Sequence, residues 1–179
     1  MSENENPVEG KEATAEESST QERPQAGFAM EKVYVKDVSF ESPNSPEIFT
    51  KEWKPEVKLD LNTRHKLVQE NVHEVAVTVT LTASVAGMTA YIVEVQQAGL
   101  FVIQGIEGMP LHHTLGAVCP NLIFPYLRET IDTAVVKGGF QAVMLAPVNF
   151  DAIFSQAIAR QQKQEQEAAA QEAGQSTVN

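Results

Sequence analysis

The chain has one cysteine, Cys119, so no internal disulfide can form, and a reducing compartment is the expectation. It is also short of positive charge. Thirteen Lys and Arg face 24 Asp and Glu, a formal net charge of −11. Nucleic-acid backbones are held by clustered Lys and Arg. The bases here are scattered, which argues against nucleic acid and against a polybasic membrane anchor. No apolar run reaches the ~18 residues of a membrane span. The polar, acidic N-terminus has no apolar stretch that could serve as a signal peptide. A cytoplasmic protein without membrane insertion is expected.

Catalytic signatures are missing too. There is no G-x-x-x-x-G-K-[ST] and no G-x-G-x-x-G to cradle phosphates. G-x-S-x-G and H-E-x-x-H are also absent. His112, His113 and Cys119 could suggest a metal, but no second Cys or carboxylate cluster completes a tetrahedral set. Glu129 and Asp132, three apart on a helix, read as a solvated face rather than an acid–base pair. The expectation is no enzyme, no catalytic residue, no metal and no cofactor.

What is present is 179 residues that are 42% hydrophobic, enough for one cored domain plus tails. Residues 1–30 hold seven acids and two bases among Ser, Thr, Gln, Gly and Pro. Such a composition reads as a disordered acidic tail. Residues 31–158 form the expected domain, and 159–179 a helix extension with a frayed end.

Val33, Val35, Val38 and Phe40 alternate with polar residues, with a broken register that suggests a bulge. Ser42-Pro43-Asn44-Ser45-Pro46 is a loop. Val57, Leu59 and Leu61 alternate as a strand. Residues 72–83 and 89–103 read as long strands of a hairpin across Ala86-Gly87-Met88, the second interrupted near Gly99. Helical spacing follows through Leu111, Leu115, Val118, Leu122, Tyr126, Ile131 and Val135, with Pro120 and Pro125 as kinks and Tyr126 packing the helix. Gly138-Gly139 stops it. Asn149 is placed to cap a last helix bearing Phe150, Ile153, Phe154, Ala157 and Ile158 on one face. Strands first and helices after imply α+β: a four-stranded antiparallel sheet with C-terminal helices packed on one face.

Six blocks carry a family resemblance. They are Lys36-Asp37-Val38-Ser39-Phe40-Glu41-Ser42-Pro43-Asn44, Trp53 to Thr63 (WKPEVKLDLNT), Glu94 to Gly99 (EVQQAG), Gly105 to Gly108 (GIEG), Cys119 to Glu129 (CPNLIFPYLRE) and Leu145 to Asp151 (LAPVNFD). In this order they resemble SecB, the bacterial protein-export chaperone, over most of the expected domain. The resemblance implies an ATP-independent holdase that binds unfolded precursor proteins, keeps them translocation-competent and delivers them to SecA, the translocase motor. It also implies a homotetramer, a dimer of dimers.

A holdase needs a long, adaptable apolar site, since exposed apolar side chains and unpaired backbone are what unfolded chains share. Phe40, Trp53, Val57, Leu59, Leu61 and Phe154 are the expected client-binding groove, although Val57, Leu59 and Leu61 alternate as any core strand would. By resemblance, the SecA-binding surface is Asp37, Glu41, Ile92 and Glu94. Alternation puts Ile92 and Glu94 on one strand face and Val93 and Val95 on the other. Two other readings use the same cleft: a dedicated chaperone for one partner such as an antitoxin, and a lipid or small-ligand binding module.

Overall fold

Four strands make one antiparallel sheet in the computed structural model, which describes residues 26–175. They are β1 (Gly27–Glu41), β2 (Glu56–Gln69), β3 (Val72–Val85) and β4 (Met88–Gln104), in the spatial order β1-β4-β3-β2. The central pair β3 and β4 is the expected hairpin, closed at Ala86 and Gly87, both with positive φ. The β2–β3 turn uses Asn71 at φ 61°, a left-handed position that Asn tolerates.

The sheet departs from expectation at three places. Gly27 to Met30 belong to β1 rather than to a tail, because Phe28 stacks on Phe101 at 5.8 Å between centroids. The remainder of the expected tail, residues 1–25, lies outside the described residues. β4 is not interrupted at Gly99, which pairs with Val33 on one side and Val75 on the other. The Phe101 ring fills the space where a Cβ at Gly99 would stand. β2 continues through Arg64–Gln69 with no apolar alternation, as an edge strand can when much of it faces solvent. The bulge expected near Val35 is present, between Val35 and Asp37.

Beyond the sheet, α1 (Gly108–His113), a π turn (Thr114–Val118) and α2 (Cys119–Lys137) follow one another directly. The π turn ends just before Pro120. Proline cannot donate to the carbonyl four residues back and its ring crowds that group, so a widened turn there removes the conflict. The apolar positions of this helix form two stripes. Leu115, Cys119, Ile123, Leu127, Ile131 and Val135 are buried at four-residue spacing, with α2 against β3 and β4. Val118, Leu122 and Tyr126 stay exposed, so Tyr126 does not pack inward as expected. Finally, α3 (Phe150–Gln175) begins as expected, with Asn149 Oδ1 accepting from the Ala152 N–H at 2.9 Å.

Candidate functional site

The sheet has two unlike faces. Toward the helices point Val75, Val77, Val79, Leu81, Val93 and Val95, all fully buried. At one end of that face the cover changes from α2 to two loops, and a groove opens.

The first wall is the segment between β1 and β2. Ser42 Oγ donates to the Ala90 carbonyl at 2.8 Å, and Asn44 Nδ2 to the Thr89 carbonyl at 2.9 Å, tying the loop to the start of β4. A 3₁₀ turn (Glu47–Thr50) then buries Ile48 and presents Phe49 outward.

The opposite wall follows α2. Gly139 takes φ 88°, the Gly139 N–H bonds the Val136 carbonyl and the Phe140 N–H bonds the Val135 carbonyl. This is a Schellman stop, whose residue after the glycine turns back onto the helix. Asp132 Oδ1 accepts from the Val143 and Met144 N–H groups at 3.0 and 3.2 Å, so this carboxylate holds the wall.

Phe140 is the buried floor of the groove. Its ring lies 4.9 Å from Tyr91, 5.0 Å from Phe49, 5.4 Å from Trp53 and 6.4 Å from Phe40. Phe40 also stacks on Tyr91 at 5.8 Å, with its ring against the backbone of Gly138, where any Cβ would collide with it. Cavities of about 170 and 140 Å³ flank Trp53, the second lined by Pro55, Val57, Tyr91 and Val143.

Phe40, Trp53 and Val57 are therefore brought together. Leu59 and Leu61 continue along the same side of edge strand β2, opposite Leu81 and Val79. Val57 is 46% exposed and Leu59 41%, whereas Leu61 packs partly on the core. Phe154 lies elsewhere, on the π turn. Its ring occupies the space over Gly116 and meets His113 edge-on at 5.4 Å, beside a 2.7 Å His113–Asp151 pair. Sequence reasoning missed Phe140, Phe49 and Tyr91. The available signal for Phe140 was its place directly after Gly138-Gly139.

The other sheet face carries polar rows. Asp37 pairs with Gln96, Ser39 with Glu94 and Glu41 with Ile92, so Asp37, Glu41, Ile92 and Glu94 share this face. Glu94 Oε2 accepts from Thr80 Oγ1 at 2.7 Å. Toward the β2–β3 turn the face is basic around one buried acid, Glu74. This carboxylate accepts from the Tyr34 hydroxyl and from Lys36 at 2.9 and 3.0 Å, and pairs with Lys66 at 3.1 Å. The Tyr34 and Lys36 hydrogen bonds hold its pKa down to about 2 against the opposing effect of burial. Burial and the same hydrogen bond push the Tyr34 phenol up to about 12.

Cys119 is buried, and burial pushes its thiol up to about 12, away from the reactive thiolate. Among the described residues, no three His, Cys, Asp or Glu converge as a metal site, and no helix is long and apolar enough to cross a membrane.

One face of the sheet is thus covered by helices, and at its rim Phe49, Val57 and Leu59 stand exposed beside the buried Tyr91 and Phe140. The family model for preprotein translocase subunit SecB matches residues 20–161. The protein-export protein SecB of Hahella chejuensis is 58% identical over 146 residues, 82% of this chain and 91% of the relative. That of Marinobacter nauticus is 54% identical over 157 residues, 88% and 93% of the two chains. Among solved structures, a Mycobacterium tuberculosis SecB-like chaperone, in complex with a ChAD peptide from an antitoxin, superposes with a TM-score of 0.57 at 12% identity. It covers 68% of this chain and 90% of that one. The chain belongs to the SecB family of protein-export chaperones; it is not an enzyme.

Proposed function

We propose that this chain holds unfolded precursor segments in the groove around Phe140 and passes them to SecA through the opposite sheet face. The observation that carries this is the aromatic cluster in which exposed Phe49 and half-buried Phe40 and Trp53 lie over buried Tyr91 and Phe140, continuing into exposed Val57 and Leu59. Each client side chain buried there contributes about 1.5–3 kcal/mol before ordering costs. Holding needs no nucleotide, and release follows from a competing partner.

Asp37, Glu41, Ile92 and Glu94 make the SecA contact, an acidic surface with one aliphatic side chain. The assembly is a tetramer in the cytoplasm. Two features support self-association: the exposed stripe of Leu122, Tyr126 and Val136 on α2, and the buried Arg128 Nε, which has no hydrogen-bond partner among the described residues. Avidity over several subunits then strengthens weak subsites.

The test is refolding of a slow-folding precursor without ATP, with complex size followed by light scattering. The expected result is arrest in a tetramer-sized complex that SecA dissolves. Asp37→Lys and Glu94→Lys should weaken release and spare arrest. Arrest with no response to SecA would assign a dedicated chaperone with another recipient. Unhindered refolding would sink the holding role.

A further inference from the structure

The open sheet face is divided by charge. At the Glu41 end stand Asp37, Glu41, Asp60 and Glu94, with Lys58 in the row of Ile92 and Glu41. At the other end a cleft of about 290 Å³ is lined by Lys36, Arg64, His65, Lys66, Glu74, Ala76 and Gln96. Ala98 and Ala76 lie between the long side chains of β1 and β2, and their small size leaves the floor open.

Glu74 does not exhaust the donors of this cleft. Lys36 directs two contacts to its carboxylate and Lys66 one, while each ammonium has three N–H groups. Arg64 makes no ion pair with any of the described residues. Three cations against one carboxylate leave a local excess of positive charge in a chain of net charge −11. A second carboxylate fits that excess, and guanidinium and carboxylate pair in a bidentate manner.

The chain itself carries a matching segment. Residues 1–25 hold seven glutamates against Lys11 and Arg23. They join the sheet at Gly27, which pairs with Gln104 at the same end of the sheet as the β2–β3 turn and Lys66. Strand geometry puts the cleft about 20 Å from Gly27. Seven extended residues span about 24 Å, and Glu16 and Glu17 stand ten and nine residues before Ala26.

We infer that the chain's own N-terminal acidic segment docks in the Lys36–Arg64–Lys66 cleft, with glutamates such as Glu16 and Glu17 as the anions. Tethering raises their effective concentration to the millimolar range, enough for weak ion pairs to matter. Docking there offsets the excess, three cations against Glu74, Glu16 and Glu17, and leaves the Asp37–Glu94 end as the charged part of the open face. This inference is independent of the groove and of the SecA reading.

The experiment is carbodiimide coupling of the full-length chain at low salt, which joins carboxylates to lysine amines in contact, followed by mass spectrometry. Lys36 and Lys66 should couple to glutamates of residues 1–25 well above Lys54, Lys58 and Lys137. Arg64→Glu should cut that coupling about fivefold, the worth of one surface ion pair. Arg64→Gln serves as a second variant should charge reversal disturb the fold. Glu16→Lys with Glu17→Lys should cut it in the same way. Coupling spread evenly over all lysines, or unchanged in both Arg64 variants, would overturn the inference and leave the cleft to an outside acidic partner or to solvent.

Discussion

Glu74 draws its three side-chain partners from two other strands: Tyr34 and Lys36 from β1, Lys66 from β2. Its pKa of about 2 lies below the ~4.3 of an unfolded chain, so it stabilises the fold above the unfolded value. That contribution is lost as pH falls from about 5 to about 2. Glu74→Gln should therefore cost on the order of 1–2 kcal/mol at neutral pH, and the difference should vanish near the bottom of that range. Denaturant melts at a series of pH values measure this; a constant gap between the two proteins at every pH would contradict it. Tyr34 acts in the opposite sense. Its raised pKa makes its share of the network complete below about 10 and lost as pH rises through about 12. None of this was legible in the sequence, because the four groups are brought together only by strand pairing. Glu94 and Ile92 were legible as face-mates because alternation is a local rule.

At the scale of elements, hydrophobic period and stop signals carried the most. β3 and β4 are central and covered by α2, so their alternation is strong and their limits nearly agree with expectation. The far half of β2 lacked that signal, being an edge with most side chains in solvent. Asn149 was readable because a cap needs only its own neighbours. Removing it leaves one N–H at the start of α3 without its side-chain partner. Asn149→Ala should cost about 1 kcal/mol. It should also speed amide exchange in the first turn of α3 while leaving β3 and β4 unchanged. Equal acceleration throughout the sheet would mean that α3 and the sheet open as one unit. Phe140 shows where local reading stops. Its Schellman geometry is a neighbour effect, but the four aromatic rings around it come from segments 49 to 100 residues earlier.

For the whole molecule, the proposed division of labour between the two sheet faces predicts opposite responses to salt. The groove is apolar, and its hold on clients should survive high ionic strength. The proposed SecA contact at the Asp37–Glu94 face would act by charge, and the Debye length shrinks from about 10 Å at 0.1 M to about 3 Å at 1 M. Raising salt across that range should slow SecA-driven release several-fold and leave arrest of refolding intact. Light-scattering titrations with and without SecA separate the two; loss of arrest at high salt would place charge, not apolar contact, at the groove. The α+β class, the polar face and the family were readable from residue order. The order β1-β4-β3-β2 and the charge division of the open face were not, because both depend on which strands become neighbours.

Trp53 is the chain's single tryptophan, and it stands at van der Waals range of Phe140 inside the groove. Indole emission responds to the polarity of its surroundings, and no second indole dilutes the signal. The protein thus carries a built-in optical reporter at the place where a client would enter. Occupancy can be followed in real time on the unlabelled chain, with a tryptophan-free client, as a change in colour rather than in mass.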